Sequence, residues 1–316
     1  MPRRHALLLT PLLALALSGC GADGPAAAAS GSGSASASGS GTQLHVATAF
    51  YPLEFLAARL AGDAATVENL TSPGAEPHDL ELTPQQVARL STDDLVVYLH
   101  GFQPAVDEAV QQQAKSAALD VATATALEAG YVPVEGGVEH ADEEGLDPHI
   151  WLDPEKYSDV AAAVGARLEQ LAPQQAPAIA QRTDELRGQL KALDGEFRRG
   201  LAHCERNEIV TSHNAFGYLA AAYGLRQISI TGLTPEQEPS PGRLAEVATY
   251  AEEHGVTTIF FEELVSPAVA QALASEVGAQ AVELSPLEGA PASGDYLTQM
   301  RSNLTTLQTA LGCSPA

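Results

Sequence analysis

Basic and aromatic residues are scarce in this chain of 316 residues. It carries 16 Lys and Arg against 40 Asp and Glu, a formal net charge of −24, and only 5% of its residues are aromatic. Proteins that bind nucleic acids neutralise phosphates with clustered Lys and Arg, so this charge argues against DNA and RNA as partners. The same negative field suits a cation as ligand, although many acidic proteins are acidic only for solubility.

Long apolar runs are also missing, apart from one short run near the N-terminus. Arg3 and Arg4 precede an apolar stretch at 6–17, and small residues follow it up to Cys20. This pattern predicts a secretory signal at 1–19, since the stretch is shorter than the roughly 20 residues of a membrane-spanning helix. Residues 20–42 are rich in Gly, Ser and Ala and predict a flexible tether. We expect no further transmembrane segment.

From residue 44 onward, short apolar runs alternate with amphipathic stretches, which is typical of parallel βα units. The predicted strands are 44–49, 66–70, 95–99, 208–211, 227–230, 257–261 and 280–284. The predicted helices are 52–61, 84–90, 104–118, 154–171, 174–202, 215–223, 243–254, 267–277 and 296–311. The fold class is therefore α/β, with an N-terminal lobe at 43–172, a long linking helix at 173–203 and a C-terminal lobe at 204–316.

Candidate metal ligands lie on loops or at strand ends in four segments. His78, His149, His213 and Glu288 are the chemically distinctive residues of these segments. Parallel sheets bind ligands beyond the carboxyl ends of their strands, so side chains from both lobes are expected to meet in the cleft between them. Three neutral imidazoles and one carboxylate would form a tetrahedral site that suits Zn²⁺.

The flanking residues strengthen this prediction. The motifs are Ser-Pro-Gly-Ala-Glu-Pro-His at 72–78, Asp-Pro-His-Ile-Trp-Leu-Asp-Pro at 147–154 and Thr-Ser-His-Asn-Ala-Phe-Gly-Tyr-Leu at 211–219. Together, and in this order, they resemble the zinc-binding branch of the solute-binding proteins of metal ABC transporters, over about 44–311. The resemblance implies two α/β lobes joined by a rigid helix. It also implies a protein that captures Zn²⁺ outside the cytoplasmic membrane and delivers it to a permease driven by an ATPase.

The resemblance implies that His78, His149 and His213 are ligands, but relatives differ in the position of the fourth ligand. Many relatives place an Asp before the Pro-Leu pair, where this chain has Ser285. A subset uses a Glu beyond that pair, which matches Glu288, while an open site completed by water is the alternative. Relatives that bind manganese tend to have a carboxylate in place of His213, so zinc is favoured over manganese.

Further assignments concern the cysteines and one more histidine. The sequence before Cys20 resembles a bacterial lipobox, which implies a lipid anchor on the extracytoplasmic face of the cell membrane; an ordinary secreted protein is the alternative. Cys204 and Cys313 form an even pair in an oxidising compartment, so a disulfide is expected, with two free thiols as the alternative. His140 lies in an acidic loop where relatives often carry a longer His-rich segment, so it is a candidate for a weak accessory metal role, with a merely solvated loop as the alternative. The protein is expected to be a monomer.

Two other classes of protein compete with this interpretation. A zinc hydrolase would place a general base such as Glu76 or Glu288 beside a metal-bound water, but the chain has no His-Glu-x-x-His or Gly-x-Ser-x-Gly motif. We therefore expect no enzymatic activity. A surface adhesin with a structural zinc is the other alternative. Trp151 and Phe216 are expected to wall the site, with ordinary core packing as the alternative. His100 follows the strand at 95–99, but the resemblance does not make it a ligand.

Overall fold

The computed structural model describes residues 43–128 and 145–314. In these residues the strands form two sheets of four, each parallel throughout. The strands are β1 (Leu44–Thr48), β2 (Ala65–Asn69), β3 (Leu95–Tyr98), β4 (Ala118–Asp120), β5 (Glu208–Thr211), β6 (Arg226–Ser229), β7 (Thr258–Phe261) and β8 (Gln280–Glu283). The predicted α/β class with two lobes is confirmed.

The two sheets have the same internal arrangement. The N-terminal sheet runs β2-β1-β3-β4 and the C-terminal sheet runs β6-β5-β7-β8. In the first sheet Val46 pairs with Val67 on one side and with Leu95 on the other, and in the second Val210 pairs with Ile228 and Ile259. Since the central strands are covered by helices, their apolar residues are buried and hold the register.

Helices connect the strands, and four of those described begin at a capping side chain. The helices are α1 (Tyr51–Ala61), α2 (Pro84–Leu90), α3 (Pro104–Ala109), α4 (Pro154–Leu171), α5 (Ala176–Gly200), α6 (Gly217–Tyr223), α7 (Pro241–Glu253), α8 (Ala268–Val277) and α9 (Tyr296–Leu311). Thr83 and Asp295 close capping boxes at α2 and α9, and Asp153 accepts two backbone N–H groups at the start of α4. These side chains satisfy donors that the first helical turn leaves unpaired. None of the described helices is long and apolar enough to span a membrane.

The helix α5 joins the two lobes. Its apolar face is fully buried at helical intervals by Ile179, Leu186, Leu190, Leu193 and Phe197. The helix packs against α4 and α1 of the first lobe and against α9 of the second. One apolar cluster therefore runs from the N-terminal sheet through α4 and α5 to α9, while a smaller cluster lies within the C-terminal lobe.

One local prediction is wrong, one strand was not predicted, and one of the open alternatives is resolved. The helix expected at 104–118 is α-helical only to Ala109, continues as a π-helical turn over Val110–Ala114, and gives way to β4. Strand β4 was missed because it is only three residues long. Cys204 and Cys313 form a disulfide, which ties the start of the C-terminal lobe to the end of α9.

Candidate metal centre

The four predicted ligands meet between the lobes. His78 lies on the irregular segment between β2 and α2, and His149 immediately precedes a 3₁₀ turn at Ile150–Leu152. His213 follows β5, and Glu288 follows β8. The first lobe thus contributes its ligands from loops, whereas the second contributes residues that follow two strands of one sheet, as the carboxyl-end argument predicts.

The spacing of the ligand atoms fits a tetrahedral cation site. Glu288 Oε1 lies 3.3 Å from His78 Nε2, 3.1 Å from His149 Nε2 and 3.3 Å from His213 Nε2, and the last two nitrogens are 3.4 Å apart. A tetrahedron with arms of about 2.0–2.1 Å, the length of a zinc–nitrogen bond, has edges of about 3.3–3.4 Å. One ligand atom from each of the four residues lies within 4.8 Å of all the others.

The four ligand side chains are almost fully buried. His149 and His213 are 0% exposed and Glu288 is 1% exposed, while the His78 side chain is 6% exposed. The His78 ring lies edge-on to Phe102 at 4.6 Å between centroids, and the His149 ring lies 5.1 Å from Trp151. Aromatic faces of this kind exclude water and fix the imidazole planes.

Buried carboxylates orient two of the three imidazoles from behind. Asp147 Oδ1 lies 2.8 Å from His149 Nδ1 and accepts the backbone N–H of His149 at 2.9 Å. Glu262 Oε2 lies 2.6 Å from His213 Nδ1, and its other oxygen accepts the His213 backbone N–H at 3.2 Å. With a carboxylate at Nδ1, the proton of a neutral imidazole stays on that side and Nε2 is left free to bind a metal.

A hydrogen-bond network holds the backbone at His213. Thr211 Oγ1 donates to the His213 carbonyl at 2.7 Å, and Gln227 Nε2 donates to both Thr211 Oγ1 and that carbonyl. Thr211 and Gln227 are buried in strands β5 and β6. The sheet therefore fixes the backbone as well as the ring of this ligand.

Electrostatics set different proton affinities for the three imidazoles. Burial lowers the pKa of His78 and outweighs its contact with Glu288. Burial opposes the charge of His149 as well, but Asp147 and Glu288 together raise its pKa. Burial again opposes the charge of His213, yet Glu262 and Glu288 raise its pKa well above the usual value. Although burial disfavours its charge, the neighbouring histidines hold the pKa of Glu288 well below its usual value, so it is a carboxylate near neutrality.

Other candidate residues lie outside this group. His100 has an exposed side chain and contacts Asp107 at 3.2 Å, so it is not among the clustered ligand atoms. Phe216 is buried in the larger core cluster. His140 and Cys20 lie outside the described residues, so their roles stay predictions.

Sequence reasoning missed Asp147, Glu262 and Phe102. Asp147 begins the motif at 147–154 but was given no role, although a carboxylate two residues before His149 is a recognisable signal for a residue that orients a ligand. Glu262 follows β7 directly, and the rule that led to His213 would have found it. Phe102 lies in a loop after β3 and carries no comparable signal.

Two α/β lobes joined by one long helix, with a buried site of three histidines and a glutamate between them, define a metal-binding solute-binding protein. Similarity to known proteins supports this class. Residues 46–310 match the family model ZnuA, described as zinc-uptake complex component A, periplasmic. The chain belongs to this family. It is a family of transport binding proteins and not of enzymes, so the protein is an extracytoplasmic binding component of metal uptake.

Three relatives illustrate the similarity. The high-affinity zinc uptake system protein ZnuA of Bacillus subtilis is 34% identical over 283 residues, which is 85% of this chain and 88% of the relative. The zinc-binding lipoprotein AdcA of Streptococcus pneumoniae is 32% identical over 278 residues, which is 84% of this chain but only 55% of AdcA. The Zn(II)-bound structure of its ZnuA-like domain has a TM-score of 0.71 at 30% identity and covers 85% of this chain and 99% of that domain.

The third relative is the laminin-binding protein Lmb of Streptococcus agalactiae. Its structure has a TM-score of 0.76 at 31% identity and covers 85% of this chain and 99% of Lmb. Lmb is described as a bifunctional protein with adhesin and metal-transporting activity. All three similarities extend over both lobes, so they concern the whole architecture and not one motif.

Proposed function

We propose that this protein captures Zn²⁺ at His78, His149, His213 and Glu288 and delivers it to the permease of an ABC importer. The observation that carries the proposal is the spacing of the four ligand atoms: four of the six distances match the edges of a zinc-sized tetrahedron, and all six are within 4.8 Å. The buried carboxylates behind His149 and His213 support it, because they leave Nε2 of both rings available to the metal.

We assign Glu288, and not water, as the fourth ligand. Its Oε1 atom lies within 3.3 Å of all three imidazole Nε2 atoms and is buried with them. The donor set also supports zinc over manganese, since three imidazoles are softer ligands than the oxygen-rich sets that manganese prefers.

We also propose how the protein is placed at the membrane. Cys20 carries a lipid, residues 20–42 tether the folded part after removal of the signal at 1–19, and the protein works as a monomer with a permease and its ATPase. The name of the lipoprotein AdcA supports the anchor. The lobe boundaries at 43–172, 173–203 and 204–316 and an accessory metal role of His140 belong to the same proposal.

Native mass spectrometry with competing zinc and manganese tests the metal assignment on the soluble chain from Thr42. We expect one zinc that outcompetes manganese, a large loss of affinity in His213→Ala and a measurable loss in Glu288→Ala. His100→Ala is the matched control, because this exposed histidine lies outside the cluster. The proposal is contradicted if the wild-type chain binds no zinc, or if both substitutions leave the zinc affinity unchanged.

A further inference from the structure

The residue that precedes Glu288 has an unusual backbone. Leu287 has a φ of +59°, and it is the one non-glycine residue with positive φ among those described. Leucine is unfavourable in this left-handed region, and Leu287 is fully buried as well. Such a conformation persists only when its surroundings enforce it, and it often occurs at a functional site.

Ser285 enforces the conformation from within the C-terminal lobe. Its Oγ accepts the backbone N–H of Leu287 at 3.1 Å and donates its own proton to Glu263 Oε1 at 2.5 Å. Because one hydroxyl makes both bonds, its rotamer is fixed. Asn303 of α9 holds the Ser285 backbone by accepting its N–H at 3.3 Å and donating to its carbonyl at 2.7 Å.

Trp151, which lies two residues after His149, holds the same backbone turn at 285–288. Its indole Nε1–H donates to the Pro286 carbonyl at 2.7 Å, and both groups are buried. Trp151 also packs against the ring of His149, and its own carbonyl accepts a hydrogen bond from Tyr296 of α9. The backbone just before Glu288 is thus tied to the segment that carries His149.

We propose that Ser285 and Trp151 are positioning residues for Glu288. They hold Leu287 in the left-handed conformation, and this conformation directs Glu288 Oε1 into the space between the three imidazoles. The Trp151 bond makes the position of this ligand depend on contact between the His149 segment and the C-terminal lobe. The inference rests on the proposed function, since it explains the affinity of the same zinc site.

The test measures zinc affinity by competition with a chelator and the visible absorption of bound Co²⁺, which reports ligand geometry. We expect Ser285→Ala and Trp151→Phe to weaken zinc binding by about 10-fold or more, the range known for residues that orient metal ligands. Ser285→Thr keeps the hydroxyl and should restore both affinity and spectrum. Ser229→Ala is the control, since it removes a buried serine hydroxyl of β6 that makes none of these contacts.

A double-mutant cycle separates positioning from a general effect on the fold. If Ser285 acts through Glu288, Ser285→Ala should have no further effect on zinc affinity in the Glu288→Ala background. Equal losses in both backgrounds, or a Ser285→Ala protein with wild-type affinity and spectrum, overturn the inference while zinc binding itself stands. A wild-type protein that binds no zinc overturns the proposed function and this inference with it.

Discussion

At the scale of single residues, two carboxylates at Nδ1 of the histidine rings set the tautomer and the orientation of these ligands. Asp147 and Glu262 contact Nδ1 of His149 and His213, while the ligand nitrogens face Glu288. We predict that Asp147→Asn and Glu262→Gln weaken zinc binding by about 10- to 100-fold, because the rings lose their fixed tautomer and orientation. Titration against a chelator, at a pH where the wild-type affinity no longer changes with pH, measures the effect without competition from protons. Glu246→Gln on α7, an exposed carboxylate paired with Arg243, should leave the affinity unchanged.

The pH dependence of zinc affinity follows from the same contacts. The pKa values of His149 and His213 are raised in the metal-free protein, so these rings bind protons above pH 6.5 that zinc must displace. Affinity should therefore be constant at high pH and should fall with decreasing pH, starting above the usual histidine range. Chelator competition between about pH 5.5 and 8.5 measures this profile.

Glu262→Gln provides the internal check on this profile. Removing the negative charge lowers the pKa of His213, so the loss of affinity should begin at a lower pH than in the wild type. Calorimetry in two buffers of different ionisation enthalpy counts the protons released. A zinc affinity that is equal at pH 5.5 and 7.5 would contradict the assignment of neutral histidines as ligands.

The sequence predicted the ligands better than their supports. His78, His149, His213 and Glu288 are recognisable because they lie on loops or after strand ends and because the motifs around the histidines, taken together, are specific. The left-handed backbone of Leu287 was not predictable, since leucine has no preference for it and the hydrogen bonds that enforce it come from Ser285 and from distant Trp151. Supports of this kind depend on tertiary contacts, which local sequence does not reveal.

At the scale of elements, the close approach of α4 and α5 depends on one glycine. A Cβ atom at Gly165 would lie 2.4 Å from Thr183 Oγ1 and 2.9 Å from Thr183 Cγ2. Thr183 is buried and donates to the Ile179 carbonyl, so it has little room to move. We predict that Gly165→Ala destabilises the protein by about 1–3 kcal/mol, the usual cost of overpacking. Urea unfolding measures the change.

Gly188 on α5 is the matched control for this prediction. Nothing lies within 4 Å of a Cβ built there, so Gly188→Ala should stabilise the protein by up to about 1 kcal/mol through helix propensity alone. Equal effects of the two substitutions would contradict the close packing of α4 on α5.

Long or well-capped elements were predictable, and marginal ones were not. Helices α2, α4 and α9 begin and end at the predicted residues, and the structure shows a capping side chain at the start of each. Strand β4 was not predicted, and its first residue was assigned to the end of a helix, because Ala118–Asp120 holds one large apolar residue and gives no alternation to detect. It becomes a strand through parallel pairing with Val96, Val97 and Tyr98 of β3.

At the scale of the whole molecule, the disulfide should serve the fold and not the metal. Cys204 precedes β5 whereas His213 follows it, and Cys313 follows α9. The bridge closes a loop with a sequence separation of 109, so the Cys204→Ser, Cys313→Ser double variant should be less stable by about 2–4 kcal/mol. Its zinc affinity should equal that of the wild type. A reductant should destabilise the wild type but not the variant, which checks that the bridge is responsible.

Removal of zinc distinguishes a cargo from a structural metal. The larger core cluster joins both sheets through α4, α5 and α9 by contacts between apolar side chains, which do not require a metal. The Glu288 carboxylate also lies within hydrogen-bond distance of His149 and His213, so protons on these rings would neutralise it when zinc leaves. We therefore predict that the chelator-treated protein keeps its circular dichroism spectrum and a cooperative melt.

Added zinc should then stabilise the folded protein by about 4 kcal/mol when free zinc exceeds the dissociation constant a thousandfold, because it binds only the folded state. The His213→Ala variant is the control, because added zinc should raise its melting temperature little compared with its own zinc-free form. If chelation instead unfolds the wild-type protein, zinc is part of the architecture, as in the adhesin alternative. A receptor must release its metal and remain folded to bind the next ion, so that outcome would contradict the proposed delivery of Zn²⁺ to a permease.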